Sequence, residues 1–330
     1  MAINPDQIKS QSLNAYNQWK DQWRTHAKEH SRFAMKPFSD FLNTGIGKAA
    51  LCVANGASFE KELEVIKSQQ GNVDIVACDK TLGHLLDNGI TPAYAVVCDA
   101  NVNYEKYMEK WKDKLANTIL FINVCGNPQW TRNGNWKDVY FFANTDVLGS
   151  EKEFMELSGC PNQIAAGTNV SNAMVIALTQ CDNSGRKNYF GYDKILLIGF
   201  DYSWMPDGNY YSFDKDGSGK YQYMRHLYLP NINGKIAYTS TNLAFSAQWL
   251  AEYIKAFKLP IVQCSKDSIL PTKKMGVLSK QMEYSFNRED KDKVKKITDA
   301  VRKLRGALSE LEGQMNAIGK DHYLAYLASV

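Results

Sequence analysis

The sequence predicts an α/β protein built on a Rossmann-like, doubly wound, mostly parallel sheet, with a helix before it and a heptad helix after it. Three observations carry this. Six short, nearly continuous apolar runs fall at 49–54, 73–78, 94–98, 119–124, 139–143 and 194–199. Runs of that kind suit strands buried on both faces, which is the signature of a parallel sheet. Helical stretches separate them at 59–69, 81–88, 104–115 and 169–179, and alternating β and α elements wind into an open sheet. Finally, the first run ends in a short glycine turn, Asn55-Gly56-Ala57-Ser58, that leads into a helix.

The remaining segments follow in chain order. Residues 1–47 form an N-terminal helical segment. Within it Tyr16, Trp19, Trp23, Ala27 and His30 recur at helical spacing and line one face. That face either packs on the main domain or receives a partner. Pro37 and Gly45-Ile46-Gly47 mark the break. Residues 48–270 are the nucleotide-binding domain. Within it, 200–240 is rich in Tyr, Asp, Gly and Asn and reads as a lid-like surface excursion. A helix is expected at 242–257 and a last strand at 260–264. Residues 271–330 form a helical tail. Its Val294, Ile297, Val301, Leu304, Leu308, Leu311, Met315 and Ile318 alternate in steps of three and four. This seam of about four heptads predicts a coiled coil, and with it a homo-oligomer, or antiparallel packing on the N-terminal helix.

Composition sets bounds. The 330 residues carry a net charge of +4 with no clustered basic face, which argues against nucleic acid as a partner. No apolar run approaches the roughly 18 residues of a membrane span, and the first twenty residues lack the apolar core of a signal peptide. The seven cysteines show no C-x-x-C pair, so buried free thiols in a cytoplasmic protein are expected and a zinc site is not. Asp214-Lys215-Asp216-Gly217-Ser218-Gly219 begins like a calcium loop, but Arg225 stands where its bidentate Glu belongs, so no metal is expected there.

The ligand crevice of such a sheet lies at the carboxyl ends of its strands. Asn55, Gly56 and Ser58 follow the first strand. Glycine permits a tight turn, Ser58 can cap the helix, and exposed N–H groups at a helix start favour phosphate. Asp79, Asp99 and Asp201 end the second, third and sixth runs. Asp79 and Asp99 can accept from ribose hydroxyls or hold a metal ion, and equally can cap the helices that follow. Gly167, Thr168 and Asn169 offer a second helix start. His226, beside Arg225 in the lid, titrates near neutrality and suits acid–base work.

Several of these residues, in this order, resemble a known family. Val53-Ala54-Asn55-Gly56-Ala57-Ser58 is similar to the G-x-G/N-G-P-S signature of the motility accessory factor (Maf) proteins and of bacterial family 42 sialyltransferases. Cys78-Asp79-Lys80-Thr81-Leu82, Leu85-Leu86-Asp87-Asn88-Gly89-Ile90-Thr91-Pro92 and the stretch from Tyr94 to Asp99 follow the same pattern. So do Gly167-Thr168-Asn169-Val170, Ile198-Gly199-Phe200-Asp201 and Asn233-Gly234 with Thr239. The chain departs at Ala57, where the signature has proline, at Ala93, where it has Asp, and at 265–268, where Maf proteins carry G-G-A. The resemblance is to the MptE-like superfamily and covers about 48–270. It implies a glycosyltransferase whose donor is a nucleotide-activated sugar, a CMP-linked nonulosonic acid of sialic or pseudaminic type, with no cofactor required and an acceptor it does not identify. By the same resemblance Asn55, Gly56 and Ser58 approach the phosphate, and Asp79 and Asp99 bind ribose or sugar. Gly167, Thr168 and Asn169 contact the nucleotide. His226 takes the acceptor's proton, while Tyr211, with Tyr210 and Tyr221, steadies the departing phosphate. The superfamily also contains a 6-hydroxymethyl-dihydropterin pyrophosphokinase using ATP and Mg2+. Asp99-Ala100-Asn101-Val102 has only one of the paired carboxylates of that branch. A non-catalytic nucleotide-binding or assembly module is the third reading.

Overall fold

The computed structural model describes residues 5–145, 148–165, 169–179, 189–205, 227–272 and 274–283, together with Lys296, Asp299, Ala300, Lys303, Leu304, Ala307 and Glu310. The chain divides into two compact units, Met1–Ser285 and Phe286–Val330.

The first unit is an eight-stranded, all-parallel sheet. Its strands are β1 (Ala49–Val53), β2 (Asp74–Cys78), β3 (Tyr94–Val97), β4 (Ile119–Asn123), β5 (Asp138–Asn144), β6 (Gln163–Ile164), β7 (Lys194–Ile198) and β10 (Ile261–Gln263). They lie in the order β10-β7-β1-β2-β3-β4-β5-β6. Every sequence-expected strand is present to within a residue or so at each end. The reason is visible in β1, all five of whose residues are buried. Ala50 and Cys52 face one side and Ala49, Leu51 and Val53 the other, the two-residue alternation of a strand with no wet face.

Helices cover both sides. On one face lie α7 (Val170–Thr179) and α8 (Thr241–Phe257), joined by Phe38 and Phe41. The other face carries α1 (Pro5–His30), α2 (Leu63–Gln69), α3 (Asp79–Asp87), α4 (Tyr104–Met108), α5 (Gln129–Asn133), α6 (Glu151–Ser158) and α9 (Leu278–Glu283). The aromatic stripe of α1 packs on this unit. Trp23 meets Phe154 of α6 edge-on at 6.0 Å, and the Tyr16 hydroxyl donates to Glu153 at 2.8 Å. His26 and His30, one turn apart, reach the carbonyls of Cys125 and Val124 at 3.0 and 2.8 Å, where the chain leaves β4. Burial holds the His30 imidazole neutral, with its pKa lowered to about 4.

Several features differ from the sequence reading. The helix expected at 104–115 is α-helical only over α4 and continues as a 3-10 segment, Glu109–Lys114. The helix expected at 59–69 begins as a tighter 3-10 segment, Ala57–Glu62, before α2 proper. The lid-like stretch contains an antiparallel hairpin, β8 (Leu227–Pro230) with β9 (Ile236–Thr239). Its turn holds Gly234 at φ +75°, a conformation glycine adopts without strain. The hairpin is anchored by paired backbone bonds of 2.8 Å between Trp204 and Tyr238.

In the second unit the described residues, Lys296 to Glu310, are helical and exposed. Leu304 is the one seam residue among them, 70% exposed. The other seam positions lie outside the described residues. Among the described residues no helix is long and apolar enough to cross a membrane, and the six described cysteines are all free.

Candidate functional site

The chain runs outward from β1 through β2, β3, β4, β5 and β6, then returns to place β7 on the other flank of β1. That reversal sets a switch point at β1 and β7, and the crevice expected of such a sheet lies above its carboxyl edge. A cleft of about 200 Å³ lies there. Asn55 and Gly56 line it from the β1 exit, Cys78, Asp79 and Lys80 from β2, and Cys98, Asp99 and Val102 from β3. Asn169, Val170 and Ser171 line it from the start of α7, and Gly199, Phe200, Tyr202 and Ser203 from β7. Leu243 of α8 completes the wall.

The β1 and β7 exits are joined tightly. The Ala54 N–H donates to Ile198 O and the Gly56 N–H to Gly199 O, both at 2.9 Å. Asp201 is buried, and its carboxylate accepts from the Ser58 N–H at 2.9 Å and the Ser58 hydroxyl at 2.5 Å. The Gly199 N–H in turn donates to Ser58 Oγ at 3.2 Å. Both glycines are required by this crossing. A Cβ on Gly56 would stand 2.5 Å from Asp201 Oδ2 and Gly199 O. Gly199 is held at φ +72°, and a Cβ there would strike the Ala54 carbonyl.

This changes the reading of the turn. Ser58 does not cap a helix. Gly56 occupies the cap position with no side-chain cap bond, and Ser58 and Asp201 lie outside the cleft lining, spent on each other. Two N–H donors expected to meet phosphate, those of Gly56 and Ser58, are bonded to protein instead.

The other carboxylates are gathered at the cleft. Asp79 opens α3 and is buried, with Oδ1 accepting from the Lys80 N–H at 2.7 Å. Burial pushes its carboxyl up to about 6, opposed by attraction to Lys80 and the Lys80 N–H bond and reinforced by Asp99. Asp99 is exposed, and its Oδ1 accepts from the Asn101 N–H at 2.8 Å. Each Asp meets a local N–H and lines the cleft, but neither caps the helix that follows: Cys78 holds the cap position of α3 and Asn103 that of α4. Asn169 caps α7, with Oδ1 accepting from the N–H groups of Ser171 at 2.9 Å and Asn172 at 3.3 Å. Asn55 Oδ1 is buried without a hydrogen-bond partner. Gly167, Thr168, Tyr210, Tyr211, Tyr221 and His226 lie outside the described residues.

Sequence reasoning passed over Lys80, Ser171, Tyr202 and Ser203. Lys80 is half-buried and is the one cation among the described cleft residues. Burial alone would lower its pKa, but attraction to Asp79, then Tyr107, Cys78 and Asp99, holds it above the usual lysine value. Its place directly after Asp79 at the end of β2 was the available signal.

A parallel sheet wound on both sides of a switch point, with polar groups converging there, defines the class: a Rossmann-like α/β protein with a crevice of the kind that takes nucleotides. The chain belongs to the MptE-like family. The model for that family, described as 6-hydroxymethylpterin diphosphokinase MptE-like, matches residues 24–207. The match begins within α1, so the family region extends further toward the N-terminus than the motif resemblance did. No curated protein matches the sequence. Among solved structures the fold is similar to that of a Maf glycosyltransferase from Magnetospirillum magneticum AMB-1, with TM-score 0.60 and 16% identity. The similarity covers 83% of this chain and 41% of that one, so this chain spans well under half of that protein's length.

Proposed function

We propose that this protein is a nucleotide-dependent group transferase, and in particular a glycosyltransferase that takes a nucleotide-activated sugar in the cleft at the β1/β7 switch point. The finer form of the reading makes the donor a CMP-linked nonulosonic acid. The observation that carries the proposal is the convergence of Asn55, Asp79, Asp99 and Asn169, from four different elements, on one cleft in a fold shared with a Maf glycosyltransferase. Asp99, exposed at the cleft, is suited to accept from ribose or sugar hydroxyls, and Asp79 lies deeper. Asn55 carries a buried, unmatched amide oxygen that a donor group on the ligand would satisfy.

In the reaction, an acceptor hydroxyl oxygen bonds to the sugar's anomeric carbon as the bond from that carbon to the phosphate oxygen breaks. The nucleoside monophosphate leaves with the bonding pair. We assign the acceptor's proton to His226 and stabilisation of the leaving phosphate to Tyr211, with Gly167 and Thr168 beside the nucleotide. The chemistry requires no cofactor. Free, mostly buried thiols are consistent with the cytoplasm as its place of action.

One observation favours a second reading. Asp99 lies close enough to Asp79 to help raise that carboxyl's proton affinity, both line the cleft, and Mg2+ is commonly held by one or two carboxylates together with substrate phosphates. An ATP-dependent diphosphotransferase acting on a pterin alcohol, as the family description words it, would use them so. A thermal-shift panel of CMP, CDP, UDP, GDP and ATP, each with and without Mg2+, separates the readings, since a ligand of the native state raises the melting point with its affinity. Stabilisation by cytidine nucleotides without metal, followed by CMP release from a CMP-sugar, supports the transferase. Stabilisation by ATP only with Mg2+, with AMP release, supports the second reading. No shift with any nucleotide leaves a non-catalytic module.

A further inference from the structure

The cleft presents an electrostatic problem that the β1 turn does not solve. A nucleotide brings at least one phosphate, yet among the described residues the fixed charges lining the cleft are two carboxylates, Asp79 and Asp99, against one ammonium, Lys80. Resemblance assigned the anion to the turn after β1. There the Gly56 N–H is bonded to Gly199 O at 2.9 Å and the Ser58 N–H to Asp201 at 2.9 Å. Those bonds hold the sheet's two central exits together, and redirecting them to a ligand would strip the buried Asp201 carboxylate of a partner. The positive groups for an anion must therefore come from elsewhere in the same cleft.

Resting on the nucleotide-transferase reading above, we propose that Lys80 is the phosphate-binding residue of this site. It acts with the positive end of α7, whose first residues Asn169, Val170 and Ser171 also line the cleft. Three observations support this. Lys80 is the only cation among the described cleft residues. It is half-buried, so its charge is screened less than that of a surface lysine. It stands in the first turn of α3 directly behind the β2 strand, on a rigid element that fixes the stem of its side chain. The ten-residue helix α7 adds its own partial positive charge, and its second and third N–H groups are already capped by Asn169. On this account Asp79 and Asp99 act on Lys80 before the ligand arrives: they keep it protonated and aimed at the cleft. When phosphate enters it shares that charge, while Asp99 takes sugar hydroxyls. The site therefore discriminates by phosphate charge, favouring diphosphates over monophosphates and nucleosides least of all.

The test is equilibrium binding by titration calorimetry of the full chain with CMP, CDP and ATP, and with cytidine and adenosine as uncharged counterparts. Wild type is compared with Lys80→Gln and Lys80→Arg. Loss of one charge-assisted contact should weaken nucleotide binding about 10- to 100-fold. Lys80→Gln is expected to lose that much for the preferred nucleotide, with its nucleoside bound as in wild type and with a shallower dependence on salt. Lys80→Arg should recover most of the affinity. The retained nucleoside binding reports that the variant is folded. If wild type binds nucleotide and Lys80→Gln binds it equally well, the assignment of Lys80 is overturned while the nucleotide reading stands. If Lys80→Gln loses nucleotide and nucleoside alike while its melting point is unchanged, Lys80 is not a phosphate residue and the assignment also fails. If wild type binds no nucleotide, the functional reading itself is wrong and this inference falls with it.

Discussion

Replacing Asp79 by Asn should make the unliganded protein more stable at neutral pH, and the size of the gain follows from its surroundings. Asp79 is 3% exposed, and burial raises its carboxyl from 3.8 to about 6. A group whose folded pKa lies above its unfolded value binds more protons in the native state across the interval between the two. Stability therefore falls as pH rises through that window, here from about 4 to about 6, and the full penalty is present above it. At about 1.4 kcal/mol per pH unit the ionised Asp79 costs ~3 kcal/mol at pH 7.5. Asparagine keeps the size and keeps an oxygen to accept from the Lys80 N–H, so the variant should recover most of this. The recovery should shrink toward zero at pH 4, where wild-type Asp79 is itself neutral. The difference between the two proteins is the quantity to measure, because His30 works in the opposite sense. Its imidazole is lowered to about 4 in the fold, so acid destabilises both proteins equally through it. Urea unfolding of wild type and Asp79→Asn at pH 4.0, 5.0, 6.0 and 7.5 gives the comparison. A stability difference independent of pH, or one that favours wild type at pH 7.5, would refute the reasoning. A buried charge that costs stability without a structural partner strong enough to offset it is what a binding site retains for its ligand.

Three other outcomes follow from the same geometry. Gly199→Ala should fail to give soluble folded protein, because its Cβ meets the Ala54 backbone and its φ of +72° is unfavourable for alanine; a folded variant melting within 2–3 °C of wild type would contradict this. Ser58→Ala should lose about 1–3 kcal/mol, since it takes the hydroxyl donor away from the buried Asp201 carboxylate, yet nucleotide affinity of the folded variant should be unchanged; lost affinity at unchanged stability would return Ser58 to the site. Removal of residues 286–330 should leave the first unit folded and abolish the self-association that the 294–318 seam implies, read by light scattering; an oligomer that survives the deletion must be held by the first unit.

The sheet was legible because parallel strands buried on both faces have almost no polar residues to interrupt them, as in 49–53 and 194–198. The helices expected at 81–88 and 242–257 lie within two residues of α3 and α8 at each end. The β8–β9 hairpin was passed over although Leu227, Leu229, Ile236 and Tyr238 alternate on either side of Asn233-Gly234, because the surrounding polar composition masked a pattern only four residues long. Asn55, Asp79, Asp99 and Asn169 were expected to share a crevice by one rule, that polar residues ending parallel strands or starting the following helices converge there, and they line one cleft. The same rule pointed to Ser58 and Asp201, which bond to each other outside the cleft lining. They meet across 143 positions of sequence, and no local pattern tells a carboxylate that faces the crevice from one that turns back to join two strands. Lys80 was quoted as part of a motif but given no role, since burial and net charge of a cleft emerge only when four chain segments are brought together.

The central claim is that the β1/β7 crevice is where a nucleotide binds. Hydrogen exchange of the full chain with and without a saturating nucleotide, the one giving the largest thermal shift, tests it most directly. The account predicts slowed exchange centred on 55–57, 79–82, 99–103, 169–173 and 199–203, with the bottom of the sheet unchanged. Slowed exchange centred on any other part of the chain, with these five segments unaffected, would contradict it.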